Sequence, residues 1–545
     1  MQFSDKTTVN ELVALCTQAG IREVVHSPGS RNAPLAFSFA ACETIRLLTI
    51  VDERSAAFFA LGMAQQLRRP VALICTSGTA VLNYAPAIAE AYYQRVPLVV
   101  ITADRPPEWI DQADGQTIRQ HNIYANYIGY STTVENGMWK TECENALRIA
   151  FTENLPIHIN VPLDEPLYNR VENGKWKTEN LQFLKPDFQL STFNFQLSTF
   201  DSILILVGQQ QPNEEVNSLL GKLAENHGVT VLCESTSNLH NERFVGCIDR
   251  VLATIPKEDL SEFAPDLLIT FDGQVVSKRI KSFLRNCKPR EHWHIGITDP
   301  APDTYRCLTK AIKASPVDFL KSATCKSVTC KFQNKWLQQS EVAKQRHELF
   351  VNSLAYCDLK LFSILKNAIP AHTLLQIANS TPIRYVQLFE EFSRFDCYAN
   401  RGTSGIDGCT STAAGAAFAA QRPTLLITGD LSFLYDSNAL WNNYLRPDFR
   451  IIVINNGGGG IFRYISGEMP DDEMARLFEV TQRQVSIELL TKSYGLEYFG
   501  ANNEAELASV LPAFFNSNSP TLLEIKTSRM ENAEKLKEYF AYLQE

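Results

Sequence analysis

No apolar run in the 545-residue chain approaches the roughly 18 residues that a membrane-spanning helix needs, so membrane insertion is not expected. Lys/Arg-rich blocks are missing too, as is any regular interleaving of basic with aromatic residues. With 51 basic residues against 60 acidic ones and a net charge of -9, nucleic acid is disfavoured as a partner. The thirteen cysteines are odd in number and include no CxxC pair, which argues against a disulfide framework and for reduced thiols. The opening stretch MQFSDKTTVNELVALC lacks a basic segment followed by an apolar run and a small-residue cleavage site, so it does not read as a signal peptide. These absences together predict a soluble cytoplasmic protein. No GxSxG elbow and no identifiable Cys/His pairing speaks for serine- or cysteine-nucleophile chemistry.

What is present is a repeated alternation. Short Val/Ile/Leu-rich runs (EVVHSPGS, LLTIVDE, VALICTSGT, PLVVITADRP, IHINVPLDEP) alternate with Ala-rich stretches of helix length and end in Gly, Ser, Asp or Pro. Such a pattern predicts a parallel sheet wrapped by helices, with ligand sites at the carboxyl ends of strands. A second series (SILILVGQQQP, VTVLCES, DLLITFDGQ, HWHIGITDP) has no GxGxxG or GxxxxGK[ST] to cradle a nucleotide phosphate. After the charged helical passage NKWLQQSEVAKQRHELFVN comes a third series: LLQIANS, DCYANRG, TLLITGD and FRIIVINNGGGG. The chain therefore reads as three tandem α/β units with mainly parallel sheets, over 1–185, 186–355 and 356–545. The polar stretch 171–200, with FQLSTF twice in tandem, reads as a linker without function.

TLLITGDLSFLYDSNAL places Gly429 and Asp430 at the end of an apolar strand and before an amphipathic helix. By itself an Asp there reads as a helix cap. The next apolar run, FRIIVI, ends in Asn455, Asn456 and four consecutive glycines. Two adjacent strand ends then offer a carboxylate and a carboxamide to one crevice, and the glycines allow close backbone approach to a ligand. Hard oxygen donors suit Mg²⁺, which keeps part of its octahedron for phosphate oxygens. A helix starting near Ser432 adds its N-terminal amides. The expected ligand is a diphosphate carried on Mg²⁺.

A Gly-Asp followed one strand later by Asn-Asn resembles the thiamin diphosphate signature, and the three-unit layout resembles the pyruvate-oxidase-type branch of those enzymes. The resemblance implies thiamin diphosphate with Mg²⁺, or Mn²⁺ in its place, on Asp430, the Asn456 side chain and the Gly458 carbonyl. Ser404, Gly405, Leu431 and Ser432 are expected beside the cofactor; Leu431 stands where the usual signature has Gly. Further stretches narrow the likeness: SPGSRNAPL, DERSAAFFALG, TSGTAVLN, ITADRPPE, GQTIRQ, SKR, NSTPIR and NRGTSGIDG, with the GDLS form at 429–432. They resemble the MenD family, which makes 2-succinyl-5-enolpyruvyl-6-hydroxy-3-cyclohexene-1-carboxylate (SEPHCHC) on the menaquinone pathway.

That resemblance implies decarboxylation of 2-oxoglutarate and addition of the four-carbon unit to isochorismate. Both substrates are multiply anionic, so the site should be rich in Arg and Lys. Ser30 and Arg31 in SPGSR, Arg105 in TADRP and Arg401 in NRGTSG follow strand ends, where guanidinium forks suit carboxylates. In NSTPIR, Pro382 fits the first helical position with Thr381 as cap, so Ser380 and Arg384 flank a helix N-terminus. Lys278 and Arg279 sit early in a helix of the middle unit, and Gln116 in GQTIRQ matches a substrate-contacting glutamine. Ile406 is expected to hold the cofactor folded, and Ile461 and Phe462 to line the site apolarly.

Glu53 follows Asp52 at a strand-to-helix junction. Asp52 reads as the helix cap and Arg54 as a solvated charge, while the family pattern falls on Glu53 as the carboxyl that relays a proton at the cofactor pyrimidine. His292 and His294 share one strand face without a third ligand in view and read as structural. Two other readings stay open: a decarboxylase or acetohydroxyacid-synthase-like carboligase for a smaller 2-oxo acid, and a non-catalytic binding or regulatory protein of the same fold. In this superfamily the pyrimidine and the diphosphate are held by different subunits, so a homodimer is the expected minimum and a homotetramer is equally compatible.

Overall fold

The apolar runs become the central strands of three six-stranded, all-parallel sheets in the computed structural model, which describes residues 2–135, 137–172, 181, 183, 195–324, 330–465, 471–479 and 485–545. The first sheet runs Arg46–Thr49, Glu23–His26, Val71–Cys75, Leu98–Asp104, Ile157–Pro162, Tyr130–Thr133. The third runs Asp396–Tyr398, Leu374–Ile377, Thr424–Gly429, Phe449–Asn455, Thr521–Lys526, Glu497–Ala501. With strands numbered within each sheet, both have the order 2-1-3-4-6-5, whereas the middle sheet, from Phe244–Val245 to Lys310–Lys313, has 3-2-1-4-5-6.

Strands covered on both faces can be apolar throughout, and VALIC at 71–75 and LVVITAD at 98–104 are buried at every position. The edges are different. Tyr130–Thr133, Lys310–Lys313 and Glu497–Ala501 each border one neighbour only and are interrupted by polar residues or glycine. In the first and third sheets the order reverses between the first and third strands, so the loops after His26, Cys75, Ile377 and Gly429 open around a switch point.

The tandem FQLSTF needs a correction. Its first copy lies outside the described residues, but the second is no linker: Phe195, Leu197 and Phe200 are buried in the middle unit, with Phe195 against Phe319 and Phe200 edge-on to Trp293. The charged passage forms the helix Lys331–Ser353 as read. Its Trp336 is buried in the middle unit, while its His347 meets the Tyr539 hydroxyl of the third unit at 2.7 Å. His292 and His294 both bond to the Thr270 hydroxyl at 2.9 Å, a packing role that matches the structural reading. The described cysteines are all free thiols, and no described helix is long and apolar enough to cross a membrane.

Helix Glu53–Leu67 of the first unit crosses helix Cys409–Ala420 of the third almost backbone to backbone. A β-carbon on Gly62 would sit 1.9 Å from the Thr412 carbonyl oxygen, and one on Gly415 would sit 1.9 Å from that of Phe59. The Ala-rich sequence CTSTAAGAAFAA permits this approach, and Phe58, Phe59, Ala413, Ala414 and Phe418 join the two units in one core. Near the crossing, Ser55 and Ser411 share a hydroxyl contact of 2.9 Å, and the fully buried Asp436 accepts from both the amide and the hydroxyl of Ser411. Burial pushes Asp436 up to about 7. Replacing Gly415 by Val forces the backbones apart; a loss of about 3 kcal/mol, the upper range for overpacking, is expected in chemical denaturation.

Candidate functional site

Asp430 opens the helix Asp430–Tyr435, directly after strand Thr424–Gly429. The helix thus begins two residues before the expected start near Ser432. The Asp430 carboxyl is 7% exposed, and its Oδ1 accepts from the Leu431 amide at 2.8 Å. Burial raises it to about 6 against the pull of the backbone amides of Leu431, Gly458 and Gly457. The adjoining strand pairs Gly429 with Ile454, which brings the two asparagines beside Asp430.

The asparagines have separate fates. Asn455 donates to Glu524 at 2.6 Å and accepts from the Gly457 amide, whereas Oδ1 of Asn456 is buried without a hydrogen-bond partner among the described residues. An orphaned carbonyl oxygen in this position is a ligand-shaped deficit. The following loop is braced from behind. Gly458 has φ +144°, and a β-carbon there would lie 2.3 Å from the Glu479 carbonyl oxygen. Arg529 donates to the Gly457 carbonyl at 2.6 Å and pairs with the buried Glu479, which also binds Arg463. The Gly458 carbonyl accepts from the Gly460 amide at 2.9 Å and keeps a second lone pair.

Asp430, Leu431, Asn456, Gly457 and Gly458 line a cavity of about 640 Å³ that extends to Lys526. A carboxylate, an unpartnered amide oxygen and a backbone carbonyl are the donor set of a hard divalent cation that leaves positions for phosphate oxygens. The residues present therefore fit a metal-carried diphosphate.

Nearby, the segment 400–406 is tied down from several sides. Asn379 donates to the carbonyls of Asn400 and Gly405, both at 2.6 Å, and accepts from Arg401 at 2.9 Å. Ser432 donates to the Ile406 carbonyl at 2.7 Å, and Ile406 is left 36% exposed. Ser404 and Ser380 both have positive φ. The Thr381 expectation is corrected here: the helix is Thr381–Val386, Ser380 occupies the cap position, and no side chain caps it. Phe462 packs against Phe478 and behind Gly459, at the start of helix Ile461–Ile465, and neither Ile461 nor Phe462 is among the residues lining the cavity.

A second cavity, of about 560 Å³, joins Lys278 and Arg279 of the middle unit to Arg384 and Tyr464 of the third. Arg279 stacks over Phe540 at 4.3 Å. Arg384 and Arg401 are close enough to repel, and burial is the largest cause of a lowered Arg401 guanidinium pKa. In the first unit, Arg31 and Arg105 both lie over the Trp109 ring, at 5.6 and 5.9 Å from its centroid. Arg31 is 2% exposed, donates to the Leu163 carbonyl at 2.9 Å and pairs with Glu165 at 3.1 Å; Arg105 donates to the Gly115 carbonyl at 3.0 Å. The Nε atoms of Arg31, Arg105, Arg384 and Arg401 are all buried without an acceptor among the described residues. Gln116 and Ser30 are exposed beside them, and the Gln116 carbonyl accepts from Ser77 at 2.8 Å.

Glu53 begins its helix half-buried, with Asp52 capping Ser55 at 2.9 Å as read. Burial is the largest cause that raises its carboxyl. Arg54 is not merely solvated: it donates to the Tyr435 carbonyl at 2.7 Å and lies over the Tyr435 ring. Glu53 lines neither cavity, and no hydrogen bond or ion pair among the described residues joins it to Asp430 or Asn456. One chain thus holds the expected residues in two groups, one on the first unit and one where the third unit meets the second.

The sequence matches the family model for thiamine pyrophosphate enzyme, N-terminal TPP binding domain, at residues 6–123, that for the middle domain of thiamine pyrophosphate at 174–377, and that for the C-terminal TPP binding domain at 383–525. It is 43% identical over 540 residues to the 2-succinyl-5-enolpyruvyl-6-hydroxy-3-cyclohexene-1-carboxylate synthase of Flavobacterium psychrophilum, covering 98% of each chain. The synthase of the same name from Christiangramia forsetii is 42% identical over the whole of both chains. That of Porphyromonas gingivalis is 40% identical over 99% of this chain and 98% of its own. The chain belongs to the SEPHCHC synthase family of thiamine pyrophosphate enzymes. The SEPHCHC synthase likeness spans all three units, in line with the three parallel sheets.

Asn379, Glu90 and Asp436 were not singled out from the sequence, although Asn379 directly precedes the quoted NSTPIR serine. Replacing Gly458 by Ala would push the loop off Glu479 and displace the Gly457 and Gly458 amides that meet Asp430. Cofactor affinity measured by calorimetry with Mg²⁺ should fall about tenfold or more, the equivalent of one strained backbone position.

Proposed function

We propose that this chain is a cytoplasmic SEPHCHC synthase of menaquinone biosynthesis, which decarboxylates 2-oxoglutarate and adds the four-carbon unit to isochorismate. The observation that carries this reading is the set of buried guanidinium Nε groups at Arg31, Arg105, Arg384 and Arg401 without acceptors among the described residues, together with the hard-oxygen diphosphate cradle at Asp430 and Asn456. Desolvated N–H donors are costly unless a ligand meets them, and anionic oxygens do so best. A small apolar 2-oxo acid would leave most of them unmet.

Bound thiamin diphosphate supplies a carbon nucleophile and an electron sink for loss of CO₂. Asp430, Asn456 and the Gly458 carbonyl would hold the Mg²⁺ or Mn²⁺ that carries its diphosphate, with Leu431, Ser432, Ser404 and Gly405 lining that place. Ile406, left exposed, would support the cofactor in its folded form. Glu53 holds the proton at the pyrimidine N1′ atom, a task helped by a carboxyl that burial has made more basic. Ser30, Arg31, Arg105, Gln116, Lys278, Arg279, Ser380, Arg384 and Arg401 bind and orient the substrate carboxylates. Ile461 and Phe462 shield the site.

Glu53 reaches Asp430 only across a homodimer in this reading, with the first unit of one subunit facing the third unit of its partner. Val51, Leu82, Ile406, Tyr435 and Trp441, from 36 to 56% exposed around the two groups, support a covered face. A homotetramer would contain the same pair.

Products formed from 2-oxoglutarate with and without isochorismate test the assignment. SEPHCHC and CO₂ are expected only with both substrates at full rate; equal consumption of pyruvate, with no effect of isochorismate, would overturn it. Glu53→Gln is expected to lower kcat by about 10² to 10⁴, the usual contribution of a general acid-base group, while thiamin diphosphate still binds. A near-normal kcat would remove Glu53 from the proton relay.

A further inference from the structure

Glu90 plays no part in the chemistry above, yet it is buried to 1% exposure in helix Ala85–Gln94 of the first unit. No ion pair among the described residues neutralises it. Its carboxylate is met instead by the third unit: Oε1 accepts from the Gly402 amide at 2.7 Å, and Oε2 from the amide and the hydroxyl of Thr403, both at 2.6 Å. Gln94 of its own helix supplies a further donor to Oε1.

The middle unit closes the junction. Gln274 donates to the Gly402 carbonyl at 3.1 Å, and Gln209 donates to the Ala399 carbonyl at 2.9 Å and to Gln94 at 3.1 Å. Gly402 leaves no room for a side chain, since a β-carbon would lie 2.5 Å from the Glu90 carbonyl oxygen. All three units therefore grip the strand-end segment that immediately precedes Ser404, Gly405 and Ile406.

A buried carboxylate is tolerated only while its donors stay in place, and these amides converge on one point only when the segment has this conformation. Carboxylate and segment hold each other. We propose that Glu90 is a positioning residue: its carboxylate sets the register of residues 401–406 against the first unit, and so presents the Arg401 guanidinium and the Ile406 side chain to cofactor and substrate. The assignment rests on the thiamin diphosphate reading of the same site. A role confined to stability would lower the unfolding temperature without changing local exchange or cofactor affinity.

In the full-length protein, Glu90→Gln turns an amide NH₂ toward one of the backbone donors and strips that donor of its acceptor. Hydrogen exchange at the amides of 402–406 is expected to rise at least tenfold. The Kd for thiamin diphosphate with Mg²⁺, read by calorimetry, should rise by a similar factor at unchanged far-ultraviolet dichroism and elution volume. If Glu90→Gln does not fold, Thr403→Val removes one donor and keeps the charge, and should move both quantities in the same direction by a smaller factor. Exchange and Kd within twofold of wild type in the folded variant would overturn the proposal. Wild type is titrated in parallel: if it fails to bind thiamin diphosphate, the functional reading falls, and the exchange data alone decide whether Glu90 sets the segment.

Discussion

The crossing of two helices at Gly62 and Gly415 is the constraint on which the arrangement of the chain depends. With backbone in contact with backbone, the first and third units have no freedom to slide, because any side chain at either glycine would occupy a carbonyl position of the other helix. Glu53 stands at the N-terminal end of one of these helices. Its reach is therefore set by the crossing and not by a flexible linker. The same crossing buries Asp436, whose carboxylate takes hydrogen bonds from the amide and hydroxyl of Ser411 on the partnering helix, so the electrostatics of the junction and its packing fail or survive together.

The repetition of one strand order in the first and third sheets gives this geometry its economy. Both sheets open at the same switch point through short Gly- or Ser-containing connections: SPGS and TSGT in one, NST and the direct strand-to-helix junction at Gly429 and Asp430 in the other. The middle sheet, wound in a different order, has no phosphate-binding fingerprint. It serves instead through the start of helix Lys278–Asn286, which places Lys278 and Arg279 beside Arg384, and through Gln209 and Gln274 at the three-unit junction.

These differences explain what could be read from the sequence. Central strands were legible because burial on both faces demands unbroken apolar runs, and strand-end polar motifs were legible because they interrupt such runs. Edge strands such as Lys310–Lys313 were not, since one face and one hydrogen-bonding side remain in water and polar residues are tolerated there. The second FQLSTF copy looked like linker because its three buried aromatic and aliphatic side chains face partners about 100 residues away, Trp293 and Phe319. Glu90 was illegible for a sharper reason. A lone Glu on an Ala-rich helix reads as surface, and its donors lie more than 300 residues further along the chain.

Several buried carboxylates and two arginines of the candidate site are met differently, and the difference points at the ligand. The buried carboxylates are satisfied internally: Glu234 by the amides of Val276 and Ser277, Asp436 by Ser411, Glu90 by Gly402 and Thr403. Arg384 and Arg401 are met less fully. Arg384 and Arg401 pair with no carboxylate among the described residues, and their buried Nε groups have no acceptor. Two buried guanidinium groups whose Nε atoms lack acceptors leave an electrostatic deficit around Arg384 and Arg401. Burial sharpens it, because unscreened cations near one another repel as Arg384 and Arg401 do. Only an anionic partner relieves that repulsion and supplies the missing acceptors in one step, which is why substrates with several carboxylates suit this site better than a neutral or singly charged one.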